Sequence, residues 1–367
     1  MPSHLQDVVD YYSNTCRPIK VLELENFAGW GGRVNYRIDS DEGESFCLRR
    51  WPEGQPSRQH LEFMQAVLWA SDCAGTDWLP LPFETNEGKG YIEHDGFVWE
   101  LLPWFAGYKI PFNKPIRPGQ LFSLVDALAG FHLGVENFPL AVPAKGVSPL
   151  VMARNRQCQH WVREKLARLD TALCNPDLLQ VESLPSHSGY RNAEVESIRN
   201  EMIELAKRFL RSAFDQAGRL ISLLARASRI AVPQQPVLQS LYRRHLIFSD
   251  DDHRLNGLID CSDMGIDNPA IDLAMVFSHI APWESAESIQ ALARYRTIRD
   301  ISDNEYYLMV ALYHAETVLY SLDKLAKLFL PNEPDYLTAP NVEQVAALRD
   351  ELRRALDRMA NIQKDEK

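Results

Sequence analysis

Strand-like and helix-like patterning are segregated along this chain, and that segregation limits its fold more than any other feature. Short β-type runs occupy the first hundred residues. Lys20 to Glu25 comes first, then Val34 to Ile38 and Ser45 to Arg50, the last two separated by the breaker-rich turn Asp39-Ser40-Asp41-Glu42-Gly43. Pro56-Ser57 opens a helical stretch to about Ala70, with Leu61, Met64, Val67 and Leu68 at helical spacing and Ser57 as N-cap. Lys89 to His94 and Phe97 to Leu102 form a second strand pair around an Asp95-Gly96 turn. From residue 117 onward helices dominate. Leu121, Leu124, Val125, Leu128 and Phe131 share one face, and helical patterns follow over 149–170, 192–229, 303–329 and 341–362. The one clear β interruption is Val237 to Asp260, where His245 to Phe248 and Leu255 to Asp260 flank the turn 249–254.

Such a chain is α+β: a small antiparallel sheet first, then a large, mainly helical body. At 367 residues, 46% hydrophobic and 24% charged, it has ample material for a packed core. The 39 basic and 50 acidic residues give a net charge of −11, which argues against a general nucleic-acid binder. Six cysteines are scattered with no Cys-x-x-Cys spacing, so reduced thiols in a cytoplasmic protein are expected. No signal peptide is legible at the N-terminus, and no apolar run is long enough to span a bilayer.

The residues that could carry chemistry cluster around one segment, Leu255 to Ala274. An apolar strand runs into Asp260, a polar turn follows, and Asp272 opens an apolar helix. This segment resembles the metal-binding stretch of the aminoglycoside phosphotransferase and choline kinase superfamily, small-molecule kinases with a protein-kinase-like fold. The resemblance extends from about residue 20 to about residue 330. It implies a two-lobed fold: an N-terminal nucleotide-binding lobe over 1–102, a linker over 103–107 and a helical C-terminal lobe over 108–367. It also implies ATP and Mg²⁺ as cofactors, and a small-molecule hydroxyl as phosphoryl acceptor.

Carried over residue by residue, the resemblance gives each position an expected role. Asp260 would hold Mg²⁺, for which hard oxygen ligands are suited. Asp263 is a secondary candidate, or simply a solvated turn acid. Asp272 would tie the catalytic loop and favour the helix dipole. Gly31 and Gly32, within Gly29-Trp30-Gly31-Gly32-Arg33, would let backbone N–H groups approach phosphates; an ordinary glycine turn is the alternative. Arg49, with Arg50 as rival, stands where kinases usually place a phosphate-gripping Lys. Its helix partner would be Glu62, unless that residue is only a surface acid. Backbone groups from Glu100 to Leu102 would face adenine.

One departure from the family bears on catalysis. The family's catalytic loop reads His-Gly-Asp with an Asn five residues after the Asp. Here Leu238-Gln239-Ser240 occupies the first three positions and His245 the Asn position. Serine carries no carboxylate and is not a useful base near neutral pH. Losing a general base costs about two to four orders of magnitude in rate. The alternative is therefore a pseudokinase, a nucleotide-binding or regulatory module that would act through a protein partner.

Overall fold

The computed structural model describes residues 3–24, 32–111, 114–140, 143–175, 179, 192–250, 253–283, 285–333, 337 and 340–362. They fall into two compact units. The first comprises Met1–Ile110, Arg117–Pro139 and Leu238–Gly265; the second comprises Pro111–Ile116, Leu140–Val237 and Ile266–Lys367.

The first unit is built on a five-stranded antiparallel sheet. Its strands are β1 (Pro18–Leu24), β2 (Val34–Ser40), β3 (Ser45–Arg50), β4 (Ile92–His94) and β5 (Phe97–Pro103), in the order β1-β2-β3-β5-β4. The β4–β5 turn is Asp95-Gly96, both with positive φ (51° and 78°), the backbone a tight two-residue hairpin requires. Alternation sorts the sheet's faces. Tyr36, Ile38, Phe46, Leu48, Trp99 and Leu101 join one buried cluster with Leu5, Val8 and Val9 of α1 (Ser3–Asp10) and with Tyr12 in the turn after it. Helix α2 (Arg58–Cys73) starts as expected, with the Ser57 hydroxyl accepting from His60 N. It buries Leu61, Met64, Val67 and Leu68. Helix α3 (Pro118–Gly134) buries the expected apolar face.

Two short antiparallel strands, Leu246–Phe248 and Leu255–Leu258, complete this unit. Tyr108 locks onto them by a reciprocal pair of backbone hydrogen bonds with Phe248, each 2.9 Å. Two glycines permit that approach. A Cβ on Gly107, whose φ is +125°, would lie 2.2 Å from Phe248 O, and one on Gly257 would lie 2.1 Å from Phe105 Cγ. In the turn between the two strands, Asp251 and Asp252 lie outside the described residues.

The second unit is helical: α4 (Pro149–His160), α5 (Leu166–Leu173), α6 (Asn192–Ala227), α7 (Ala270–His279), α8 (Ala286–Ile298), α9 (Asp303–Phe329) and α10 (Val342–Ile362). The helix expected over 149–170 carries a π-helical turn at Trp161–Lys165. Serine caps start three of these helices: Ser148, Ser285 and Ser302, the last in a capping box with Glu305. Short strands Lys145–Val147 and Ala231–Pro233 pair with each other. Three residues are too few to leave a readable period, which is why no β signal was expected there. Asp272 is fully buried in the first turn of α7. Beside it Asn268 caps Ala270 N and donates to Glu305. No described helix is long and apolar enough to cross a membrane.

Candidate active site

The first unit concentrates the polar chemistry around Asp260. The strand Leu255–Leu258 ends two residues earlier, so the carboxylate emerges where ladder hydrogen bonding stops. Ile259 N donates to His245 O (3.0 Å), tying the segment to the loop before the first hairpin strand. Ser262 N donates to Asp260 Oδ1 (3.1 Å), an Asx-type turn that fixes the carboxylate's direction.

Two arginines face that carboxylate. Arg33 Nη1 lies 2.8 Å from Asp260 Oδ2, and its Nη2 donates to Ser262 Oγ at 2.7 Å. Arg49 Nη2 donates to Ile259 O at 2.6 Å, while its Nε reaches Asn35 Oδ1 at 3.4 Å. Burial opposes ionisation of Asp260, but Arg49 and Arg33 outweigh it, with smaller help from the Ser262 N–H. The carboxyl is held far below the usual carboxylate range. Trp51 lies under both guanidinium groups, its ring centroid 4.7 Å from Arg33 Cζ and 5.3 Å from Arg49 Cζ. Trp51 in turn donates its indole N–H to Glu100, which also accepts from Gln65 Nε2 of α2 at 2.8 Å. Burial raises the Glu100 carboxyl, against the opposing pull of Arg49.

The chain from Leu238 to His245 lies alongside. Gln239 has φ +62°, a left-handed conformation uncommon for a residue with a side chain. Ser240 is buried and held through its backbone, its N donating to Leu238 O and its O accepting from Tyr242 N. Its hydroxyl donates to Asp263 Oδ2. His245 Nδ1 faces Ser240 O at 3.3 Å, and its Nε2 accepts from Arg244 Nε at 3.0 Å, so the ring proton sits on Nδ1. His245 Nε2 is 3.9 Å from Asp260 Oδ2.

Burial, chiefly, pushes the His245 imidazole down to about 4; Asp260 pulls the other way, and Arg244 and Lys109 reinforce the fall. The folded protein therefore keeps this ring neutral where an unfolded chain, titrating near 6.5, takes up a proton. Stability falls as pH drops from about 6.5 to about 4, by roughly 3 kcal/mol for this one group. Denaturant unfolding of His245→Gln should lose that part of the acid slope relative to wild type. An unchanged slope would mean that the ring is not held neutral.

Residues 23–305 match the family model described as the phosphotransferase enzyme family. The chain belongs to the phosphotransferase enzyme family. Solved structures show the same fold at low identity. An aminoglycoside phosphotransferase from Alicyclobacillus acidocaldarius is 14% identical, with 98% of this chain and 95% of that one covered and a TM-score of 0.55. A spectinomycin phosphotransferase solved with ADP and spectinomycin is 12% identical, with coverage of 96% and 98% and a TM-score of 0.61. An amicoumacin kinase solved with AMP-PNP and Ca²⁺ is 12% identical, with coverage of 96% and 92% and a TM-score of 0.57. The α+β, kinase-like class expected from the sequence is thereby shown. No curated protein sequence matches the chain.

Within this phosphotransferase-family chain, Ser240, His245, Arg49 and Asp260 come together. Arg50 points elsewhere, over the Phe97 and Trp99 rings. Gly32 keeps a positive φ of 64°, while Gly31 lies outside the described residues. Glu62 is half exposed and pairs with Arg58 one turn earlier. The carboxylate opposite Arg49 is Glu100, its register partner on β5. Trp51 N donates to Val98 O, so by antiparallel alternation the backbone groups of Glu100 and Leu102 face β3. Leu101 faces away, and its carbonyl accepts from Phe83 N. Leu102 is buried. Arg33, Trp51 and Gln65 belong to the site but were not singled out in sequence. Arg33 adjoins the glycines, and only the fold shows that its side chain turns toward Asp260.

Among the described residues no group of three or more His, Cys, Asp or Glu side chains could enclose a metal unaided. A single ionised carboxylate does suit Mg²⁺ that arrives with phosphate oxygens. Asp260, ionised and still partly open, fits that requirement better than the imidazole of His245.

Proposed function

We propose that the protein is an ATP-dependent kinase that transfers the γ-phosphoryl group to a hydroxyl of a small molecule. The carrying observation is Asp260, held ionised between Arg33 and Arg49 at the foot of a hairpin and beside the strained Gln239–Ser240 turn. Phosphoryl transfer needs positioning and charge neutralisation more than covalent help. In this reading Arg49 and Arg33 grip phosphate oxygens, for which a planar guanidinium is well shaped. Gly32 would bring its backbone N–H to the same phosphates; Gly31, given the same role by the resemblance, lies outside the described residues. Asp260 would hold Mg²⁺, which would neutralise charge on those oxygens. Glu100 acts through its side chain, orienting Trp51 beneath the two guanidinium groups. Asp272 serves the fold of its own unit. The small molecules named for two similar structures, spectinomycin and amicoumacin, support a small-molecule acceptor.

The competing reading, nucleotide binding without transfer, rests on Ser240 at the position of the family acid. Calorimetric titration of the full chain with ATP, with and without Mg²⁺, tests the shared part. Magnesium-dependent binding is expected. Absence of binding would sink both readings. Binding together with phosphate release to water would favour the kinase over the pseudokinase.

A further inference from the structure

We propose that Asp263 is the catalytic carboxylate of this protein and that Ser240 is its positioning residue. The inference rests on the kinase reading above and names the group that receives the acceptor's proton. Asp260 is unsuited to that task, because Arg33 Nη1 sits 2.8 Å from its Oδ2 and Arg49 faces it as well. Ser262 N occupies its other oxygen, so neither is left for an incoming hydroxyl. Asp263 differs in each respect. It is exposed, forms no ion pair among the described residues, and has one oxygen, Oδ2, engaged by the Ser240 hydroxyl.

The setting is built rather than incidental. The turn that carries Asp263 is pinned from several sides. Cys261 and Met264 are buried, and Met264 N donates to Cys261 O at 3.1 Å. His60 Nε2 of α2 lies 2.8 Å from Ser262 O, and Arg33 Nη2 holds Ser262 Oγ. Opposite, Ser240 is 4% exposed and fixed through its own backbone. The two segments press together closely enough that a Cβ on Gly265 would lie 2.8 Å from Gln239 Nε2. A side chain on residue 265 would push the Gln239 amide aside. The Ser240 hydroxyl therefore fixes one Asp263 oxygen, and the other oxygen remains for an incoming hydroxyl.

The reaction balances without an additional reactant. The acceptor O–H gives its proton to Asp263, and the acceptor oxygen bonds to the γ-phosphorus. The bond from that phosphorus to the β–γ bridging oxygen breaks, ADP departs, and Asp263 later releases the proton to solvent. The loss of the carboxylate at position 240 is thus offset by one supplied from the following turn.

Water serves as the acceptor in the test. The full chain is titrated with MgATP by calorimetry, and phosphate release is measured for wild type, Asp263→Asn, Ser240→Ala and the exchange Ser240→Asp/Asp263→Asn. Asp263→Asn should bind MgATP within about twofold of wild type, yet release phosphate about 10² to 10⁴ times more slowly. Ser240→Ala should lose about tenfold in rate with affinity retained, since it removes one hydrogen bond to a charged group. The exchange should recover activity over Asp263→Asn by returning a carboxylate from the other side. Asp263→Asn turning over at the wild-type rate overturns the assignment. So does equal loss of affinity and rate, which would mark a structural role, or an exchange no faster than Asp263→Asn. Wild type that binds MgATP but releases no phosphate overturns it too. Failure of wild type to bind MgATP would instead remove the kinase reading itself.

Discussion

Asp260→Asn is expected to abolish the magnesium dependence of ATP binding while leaving metal-free ATP bound at least as tightly as in wild type. Two opposed effects produce that pattern. The substitution removes the carboxylate proposed to hold the metal, and the neutral amide is a much poorer ligand for a hard cation. It also releases Arg33 and Arg49 from the anion they now face. The carboxylate would then no longer compete with phosphate for their guanidinium groups, and the repulsion between Asp260 and the nucleotide would vanish. Turnover should fall by about 10³-fold or more, because metal charge neutralisation contributes several kcal/mol to such transition states and each 1.36 kcal/mol is tenfold. The isosteric amide still accepts from Ser262 N, so the turn should persist. Calorimetry with and without Mg²⁺, run beside phosphate release, separates the two effects. A variant that keeps a wild-type magnesium response would show that the metal is held elsewhere.

The sheet and the hairpin were legible because alternation and turn chemistry are local. β3 matches its expected span, Ser45 to Arg50, and the Asp95-Gly96 turn sits where its residues require. Helix α1 was readable in principle, since Leu5, Val8, Val9 and Tyr12 repeat at helical spacing. That stretch is short, however, and its meaning comes from the sheet face it covers. The partner of Arg49 was not legible. The resemblance pointed to Glu62, the only acid of the following helix, whereas the acid facing Arg49 comes from a neighbouring strand whose register only the folded sheet defines. The same holds for Ser240 and Asp263. Each stands out singly, as a missing acid and a turn acid, but 23 residues separate them and no local rule predicts their hydrogen bond.

Gly107→Ala should be the most destabilising single substitution in the segment that meets the hairpin. Its Cβ would fall 2.2 Å from Phe248 O and 3.0 Å from Phe248 C, both backbone atoms, and φ of +125° is nearly closed to alanine. Relief requires moving the chain, which would break the two Tyr108–Phe248 hydrogen bonds. Backbone strain of about 1–3 kcal/mol, overpacking of similar size and about 1 kcal/mol for each of the two lost hydrogen bonds give a cost of roughly 4–8 kcal/mol. Gly257→Ala offers the contrast. Its closest contacts are ring atoms of Phe105, the nearest at 2.1 Å, and a side chain can move aside. Phe105→Ala should therefore rescue much of Gly257→Ala in a double-mutant cycle, whereas truncating the Ile247 side chain, 3.2 Å from the new Cβ, should not rescue Gly107→Ala. Urea unfolding of the four single variants and the two pairs measures this. Equal losses for the two glycines would mean that the Phe248 carbonyl yields as easily as a ring. The segment would then not hold the hairpin, nor fix the place of Asp260 at its end.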